Sequence, residues 1–381
     1  MSSVTSPIGL EEVTAIAMKF AIEGKLVIAE EIQTGHINST WRVSFESETG
    51  EQRRFILQRI NREVFEDPLA VMLNVECVTR HINDRVMRTK KDLSGRTLEL
   101  YPGRDGRFWV PDDDGSIWRC YNFIEGCRTY DVVENERQAY QAARAFGAFQ
   151  DLVSDLVPDE LAETIPGFHD TRQRYDRLMK MVEDDPCGRA AAVAEELAFI
   201  RRREGDVDRV LGLMNEGKVP LRITHNDTKI NNVMIDEATD EAICVIDLDT
   251  VMPGSVLFDF GDMVRTAVSP AEEDERDLSK IEVRMPVFEA LVDGYLSSAG
   301  GFLNEVEIAH LAFSSKLITF ELAIRFLTDH LNGDRYFKTH HEGHNLERCR
   351  AQLALVERIE EKLEEMEQVV ELRYQAMDTD C

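Results

Sequence analysis

Basic residues are scarce in this chain of 381 residues: 44 Lys and Arg stand against 72 Asp and Glu, a formal charge of −28 at pH 7. So acidic a surface repels polyanions, and non-specific binding to nucleic acid or to an anionic membrane is not expected. Cysteines are few and scattered. The seven, at Cys77, Cys120, Cys127, Cys187, Cys244, Cys349 and Cys381, are odd in number and lack metal-ligand spacing. That pattern argues against a disulfide framework or a thiolate metal site and fits reduced thiols. No apolar run reaches about 18 residues. The start, Met1 to Pro7, has neither a basic n-region nor an apolar h-region. Neither membrane insertion nor secretion is expected, and the location expected is cytoplasmic. Internal repeats, low-complexity linkers and zipper-like stretches are also missing, so the chain is expected to be a monomer.

What is present is ordinary in bulk and specific in detail. Hydrophobic residues make up 43% and charged residues 30%, the balance of a soluble globular protein. At this length two lobes are expected rather than one core. Apolar spacing of three and four predicts a leading helix over 9–23. The pattern then changes to strands over 26–32, 40–45 and 54–60, a helix over 70–86, and short strands over 98–101, 107–110 and 117–124, punctuated by turn residues. From about residue 135 the pattern is helical, over 135–156, 171–184, 191–204, 286–298, 304–331 and 344–374. The junction falls near 121–129, which divides the chain into 1–125, a β-rich part with one inserted helix, and 126–381, a mainly helical part.

Chemistry concentrates in one stretch, Thr224-His225-Asn226-Asp227-Thr228-Lys229-Ile230-Asn231-Asn232, followed by Ile246-Asp247-Leu248-Asp249. Asp227, Lys229 and Asn232 keep the spacing of the base, the cation and the metal-binding amide in a protein-kinase catalytic loop. A short apolar run after Asn232 and another before Asp247 predict a strand hairpin turning near Asp236 to Asp240. Such a hairpin would return Asp247 beside the loop. A carboxylate can orient an attacking hydroxyl and accept its proton, the role expected of Asp227. Lys229 would offset charge on the phosphoryl oxygens. Mg²⁺ prefers hard oxygen ligands, for which Asn232 and Asp247 are suited. Asp259-Phe260-Gly261 also spells a kinase metal triplet, but it lies farther from Asp227 than one hairpin allows. Asp259 is therefore expected to fix the site from behind the ligands, and Asp249 either to reach a second metal or to end the strand.

With a β-rich lobe, a hinge and a helical lobe carrying this loop, the chain resembles the aminoglycoside phosphotransferase and choline kinase superfamily over nearly its whole length. The resemblance implies an α+β, protein-kinase-like two-lobe fold. Gly35-His36-Ile37-Asn38-Ser39-Thr40, Thr224 to Lys229, Ile246 to Ser255 and Arg325-Phe326-Leu327-Thr328-Asp329 are similar to blocks of bacterial N-acetylhexosamine 1-kinases. That narrower likeness implies phosphoryl transfer from ATP, with Mg²⁺, to the anomeric hydroxyl of N-acetylglucosamine or N-acetylgalactosamine. It makes Asp227 the base, places Asn232 and Asp247 on Mg²⁺, and gives sugar contacts to His36, Arg325 and Tyr336. On residues alone, His36 also reads as an exposed turn histidine, and Arg325 as an ion-pair partner of Glu321 four residues earlier.

The nucleotide side departs from protein kinases. Where they carry a lysine on the third strand, this chain has Gln58 with Arg59 beside it. Adjacent strand residues face opposite ways, so either Gln58 meets a phosphate or a bulge turns Arg59 inward. Glu76 on the inserted helix then lacks its usual partner. Gly35 is a lone glycine; with Asn38 it is expected to border the phosphates, and Tyr121 and Phe123 the adenine. Other readings are a kinase for another sugar, an aminoglycoside or an amino alcohol, and a non-catalytic nucleotide binder. A protein kinase is disfavoured because no Ala-Pro-Glu follows Asp259.

Overall fold

In the computed structural model, which describes residues 9–32, 37–88 and 97–379, α1 (Leu10–Ala17) precedes the expected strands, which form β1 (Lys25–Ile32), β2 (Ser39–Glu46) and β3 (Gln52–Arg59). After α2 (Pro68–Arg88) the chain adds β4 (Val110–Pro111) and β5 (Ile117–Asn122), completing a five-stranded antiparallel sheet in the order β1-β2-β3-β5-β4. Trp41, Val43, Phe45, Phe55, Leu57, Trp118 and Cys120 pack with Val13 and Ile16 of α1 and with Phe20 just beyond it. Burying each such large side chain contributes about 1.5–3 kcal/mol. The register sets Thr40 against Gln58, and Gln58 against Arg119, on the opposite face. That row is polar, in contrast to the apolar row against α1.

Contacts divide the chain into two compact units. The first runs to Cys127 and adds Asp159–Ile165 and Ile246–Val251; the second holds Arg128–Pro158, Pro166–Val245 and the chain from Met252 onward. In the first unit, Pro68 opens α2, and Asp67 Oδ1 accepts the N–H groups of Leu69 and Ala70 at 3.0 and 3.1 Å. Buried Asn74 on this helix ties in both added segments. Its Nδ2 donates to the carbonyls of Ala162 at 2.7 Å and Val251 at 3.0 Å, and its Oδ1 accepts the Ala162 N–H at 2.8 Å.

The second unit is mostly helical. After the short β6 (Cys127–Arg128) come α3 (Glu136–Leu152), α4 (Thr171–Asp184), α5 (Ala194–Arg201) and α6 (Arg209–Asn215). Four short strands follow: β7 (Arg222–Thr224), β8 (Val233–Asp236), β9 (Ala242–Val245) and β10 (Met252–Gly254). Helices α7 (Val256–Ala267), α8 (Met285–Ala299), α9 (Glu305–Ala309), α10 (Leu311–Leu331) and α11 (His344–Thr379) complete it. Two glycines set the helix spacing. A Cβ on Gly294 of α8 would stand 2.2 Å from the Tyr140 carbonyl oxygen of α3, and one on Gly261 of α7 would stand 2.4 Å from that of Ser314 of α10. Only a bare backbone permits either approach.

Several expected elements are shorter or divided. The strand expected over 98–101 is a single bridge from Leu100 to Tyr121, and that over 107–110 is reduced to β4. A tight turn absorbs the chain between them, with Gly103 N–H on the Arg107 carbonyl at 2.7 Å. The helix expected over 304–331 is two helices. Asn304 and Glu307 form a capping box for α9, and His310, at φ −111° and ψ 3°, leaves helical geometry before α10. No proline or glycine marks that break.

Candidate active site

The hairpin expected after the loop is present: β8 and β9 pair antiparallel, and Asp236 Oδ1 accepts the N–H groups of Ala238 and Thr239, each at 2.9 Å, in the turn. Upstream, β7 pairs with β10 and launches the loop. His225 is buried against the edges of Phe146 and Phe149, ring centroids 5.3 and 5.7 Å away. Asn226 follows at φ +64°, in the left-handed region. Side-chain-bearing residues occupy that region at a cost of order 1–3 kcal/mol, and only where surroundings over-determine it.

Asp259 supplies that determination. It lies in the first turn of α7, a helix the sequence reading did not single out, and it is wholly buried. Its Oδ1 accepts the Asn226 N–H at 2.7 Å; its Oδ2 accepts the His225 N–H at 2.9 Å and Gln150 Nε2 at 2.7 Å. Tyr295 in turn donates to Gln150 Oε1 at 2.5 Å. Burial pushes the Asp259 carboxyl above its ordinary value against the pull of these donors. One helical turn on, Asp262 Oδ2 accepts the Thr228 N–H at 3.0 Å, while Arg265 holds its Oδ1 at 2.9 Å. Burial works against the Asp262 charge, but Arg265 and then Lys229 outweigh it and hold the carboxyl below the usual range. Two acids one turn apart thus clamp the loop at His225, Asn226 and Thr228.

Within that frame Asp227, Lys229 and Asn232 converge. Lys229 Nζ lies 3.1 Å from Asp227 Oδ1, and Asn232 Nδ2 donates to Asp227 Oδ2 at 3.1 Å and to its carbonyl at 2.8 Å. The Asp227 side chain keeps 23% of its surface exposed, so this carboxylate is reachable. With the amide nitrogen committed to Asp227, Asn232 has its carbonyl oxygen left for a ligand. A carboxylate and an amide carbonyl are the donor set a hard divalent cation takes when phosphates complete its shell, and Asp247 and Asn232 are of those two kinds. Among the described residues no cluster of three or more His, Cys, Asp or Glu could hold a metal by itself.

Asp247 lies in the segment that joins the first unit, at φ +61°. Two residues later Asp249 is buried and held at both oxygens. Arg119 of β5 ion-pairs with Oδ1, and Asn38 Nδ2 donates to Oδ2 at 2.5 Å. Gln58 Oε1 accepts Arg119 Nε at 3.0 Å and Nη2 at 2.8 Å, while its Nε2 donates to Thr40 Oγ1 at 3.1 Å. The β2–β3–β5 register is unbroken at this point, so no bulge turns Arg59 inward. Glu76 pairs with Arg80 on its own helix. Tyr121 lies beside the guanidinium, 5.0 Å from ring centroid to Arg119 Cζ, with its hydroxyl buried and unpartnered among the described residues. The Phe123 N–H donates to the Arg54 carbonyl at 3.2 Å, and its ring lies 4.4 Å from the Arg54 guanidinium. Gly35 and His36 lie outside the described residues.

Arg325 and Tyr336 meet elsewhere in the second unit. They line one pocket with Arg174, Arg177, Thr328, Asp329, Asn332 and Phe337. Arg325 does not pair with Glu321. That carboxylate takes Thr171 Oγ1 at 2.6 Å and His169 Nδ1 at 2.9 Å, while the Arg325 guanidinium lies 5.2 Å from the Phe168 ring centroid, 5.9 Å from Tyr336 and 5.7 Å from Phe337. Asp329 is consumed by the loop that carries Tyr336: it accepts the N–H groups of Arg335, Tyr336 and Phe337 and Asn345 Nδ2, all at 2.9 Å. Burial first, and then the Arg325 charge, lower the pKa of Arg174.

Sequence reasoning missed Arg119, Asp262 and the two further arginines. The first has a readable signal, a lone cation in an apolar strand. Arg174 and Arg177 sit one turn apart on α4 and resemble any solvated helix face.

Residues 28–295 match the profile of the phosphotransferase enzyme family. Among solved structures the chain is similar to a microcompartment-associated aminopropanol kinase at 17% identity and TM-score 0.61, covering 94% of this chain and 98% of that one. An aminoglycoside phosphotransferase from Alicyclobacillus acidocaldarius gives 13% and 0.61 over 97% and 98%. A spectinomycin phosphotransferase in complex with ADP and spectinomycin gives 12% and 0.56 over 93% and 99%. At such identities the likeness establishes the fold: α+β and protein-kinase-like, with a β-sheet N-terminal region and a helical C-terminal region.

Proposed function

Because this chain belongs to the phosphotransferase enzyme family, we propose that it is a small-molecule kinase that transfers the γ-phosphoryl group of ATP to the anomeric hydroxyl of an N-acetylhexosamine, N-acetylglucosamine or N-acetylgalactosamine. Asp227 orients that hydroxyl and accepts its proton, with Lys229 beside it. Asn232 and Asp247 would hold Mg²⁺, which when bound offsets charge on the phosphates. The hydrogen bonds from Asn232 to Asp227 couple the orientation of the base to that of the metal-facing amide.

The charge of the Arg325 pocket carries the choice of acceptor. Three guanidinium groups line it, and the carboxylate among its lining residues, Asp329, is spent on backbone N–H groups. Amino alcohols and aminoglycosides are cations at neutral pH and would be repelled there. A neutral sugar with hydroxyl and acyl oxygens suits planar guanidinium donors and the Tyr336 ring. The same argument disfavours an amino alcohol or an aminoglycoside as acceptor.

A panel of acceptors with coupled ADP detection tests this. Turnover with N-acetylglucosamine or N-acetylgalactosamine well above that with glucosamine, ethanolamine or spectinomycin is the expected outcome. Preference for a cationic acceptor would overturn the assignment.

A further inference from the structure

The first unit carries a buried cation beside the third-strand position that holds a lysine in protein kinases, but on a different strand. Gln58 fills the third-strand position, and its cross-strand neighbour Arg119, on β5, is 1% exposed. Arg119 is held from one side by two hydrogen bonds to Gln58 Oε1 and spends its outer nitrogen on Asp249. Asn38 takes the other Asp249 oxygen, and the same Asn38 accepts the Asn61 N–H at 3.0 Å. Asp249 lies in a short 3-10 turn, Leu248–Thr250, whose N-cap is the left-handed Asp247, and Asn74 fastens the Val251 carbonyl at its end. The turn carrying Asp247 is therefore gripped at Asp249 and Val251 by side chains from β5, from the residue before β2 and from α2.

We propose that Arg119 is a positioning residue that assumes the structural half of the strand lysine's role. Through Asp249 it holds Asp247 in its left-handed conformation, so that the carboxylate is preset for a nucleotide-bound divalent cation. The inference rests on the phosphotransferase reading of Asp247 above. Burial works against the Arg119 charge, yet the adjacent Asp249 and then Asp247 outweigh it and hold the guanidinium protonated. A guanidinium with so little exposed surface has no route to a phosphate without abandoning Asp249. A lysine in its place could not span Gln58 and Asp249 at once, because a compact ammonium lacks the planar fork. The register explains the division of labour: Gln58 orients the cation instead of meeting a phosphate itself.

The test compares wild type, Arg119→Met, Arg119→Lys and Gln58→Ala. Each is titrated with Mn²⁺ by electron paramagnetic resonance in the presence of ADP, and with metal-free ADP by calorimetry. Removing an outer support of a metal ligand weakens metal affinity by about 10–100-fold. Arg119→Met should show such a loss of Mn²⁺ affinity, with metal-free ADP affinity within about threefold of wild type. Arg119→Lys should recover part of the loss and Gln58→Ala should show a smaller one. Breaking a buried ion pair is destabilising, so thermal melts accompany each variant; should Arg119→Met fail to fold, Gln58→Ala, which keeps the ion pair, carries the test. An equal loss of metal-free ADP affinity would overturn the proposal by placing Arg119 on the phosphates. Unchanged Mn²⁺ affinity in a folded variant would overturn it by leaving Arg119 a purely structural role. Wild-type protein that binds neither ADP nor Mn²⁺ would instead sink the nucleotide-site reading on which it rests.

Discussion

Replacing Asp259 with asparagine changes one oxygen into an NH₂ group and leaves the shape intact, which makes it a clean probe of the loop clamp. Asp259 accepts three hydrogen bonds: one at Oδ1 from Asn226 and two at Oδ2 from His225 and Gln150. The new amide settles with its nitrogen where the fewest donors are lost, at the Oδ1 position. Asn226, 5% exposed, then has a buried N–H facing another donor. An unsatisfied buried donor costs about 1–3 kcal/mol. Part of that is offset because burial already disfavours the Asp259 charge, so the net loss expected is about 1–2 kcal/mol. At about 2–4 °C per kcal/mol for a unit of this size, Tm should fall by roughly 2–8 °C. The catalytic effect is larger. Asn226 holds its left-handed backbone against that bond, and Asp227 is the next residue, so a shift approaching 1 Å at the base would lower kcat by up to about 10²-fold. The KM for ATP should hardly move. Calorimetry and steady-state kinetics on Asp259→Asn read both. A variant with wild-type Tm and wild-type kcat would show that Asp259 does not hold the loop.

Three further outcomes are expected. Asp227→Asn should bind nucleotide as wild type does while turnover falls about 10²-fold or more; near-normal turnover would remove Asp227 from the base role. Arg325→Ala should raise the sugar KM by about 10- to 100-fold, the worth of one charged hydrogen bond, with less effect on the ATP KM, and the reverse pattern would move Arg325 to the phosphates. Burial works against the Glu321 charge, but His169, Arg325 and Thr171 outweigh it and hold the carboxyl below the usual glutamate range. Its folded pKa being depressed, its stabilisation is full above the unfolded value and is lost as pH falls through the folded one. Glu321→Gln should therefore lower Tm near neutrality and flatten its decline in acid, and parallel melting curves for the two proteins would contradict this.

Much of this was legible in the residues because local pattern and tertiary demand coincide. β2 alternates with the period of the sheet through Trp41, Val43 and Phe45, β1 and β3 are apolar-rich runs bounded by turns, and β8 and β9 are apolar runs around an Asp236 turn. Asp227, Lys229 and Asn232 meet because a short loop suffices to bring them together. What stayed hidden depends on distant partners. Asp259 in the first turn of α7 carries a triplet that spells a metal site, but Gly261 beside it serves the close approach to Ser314 of α10, a contact no local spacing reveals. Glu307, which caps the start of α9 through Asn304, also accepts Arg222 Nε at 2.7 Å, a partner no local spacing names. Arg119 acquires its meaning only once β5 lies beside β3, since nothing near it in sequence names Gln58 or Asp249 as its partners.

Where the transferred phosphorus ends up decides whether the acceptor is the anomeric hydroxyl. Wild-type protein incubated with ATP, Mg²⁺ and N-acetylglucosamine should yield a sugar phosphate whose phosphorus-31 resonance is split by the anomeric proton, and Asp227→Asn should yield almost none in the same time. A phosphorus coupled to the proton of any other carbon, or equal product from the variant, would exclude anomeric phosphorylation with Asp227 as the base.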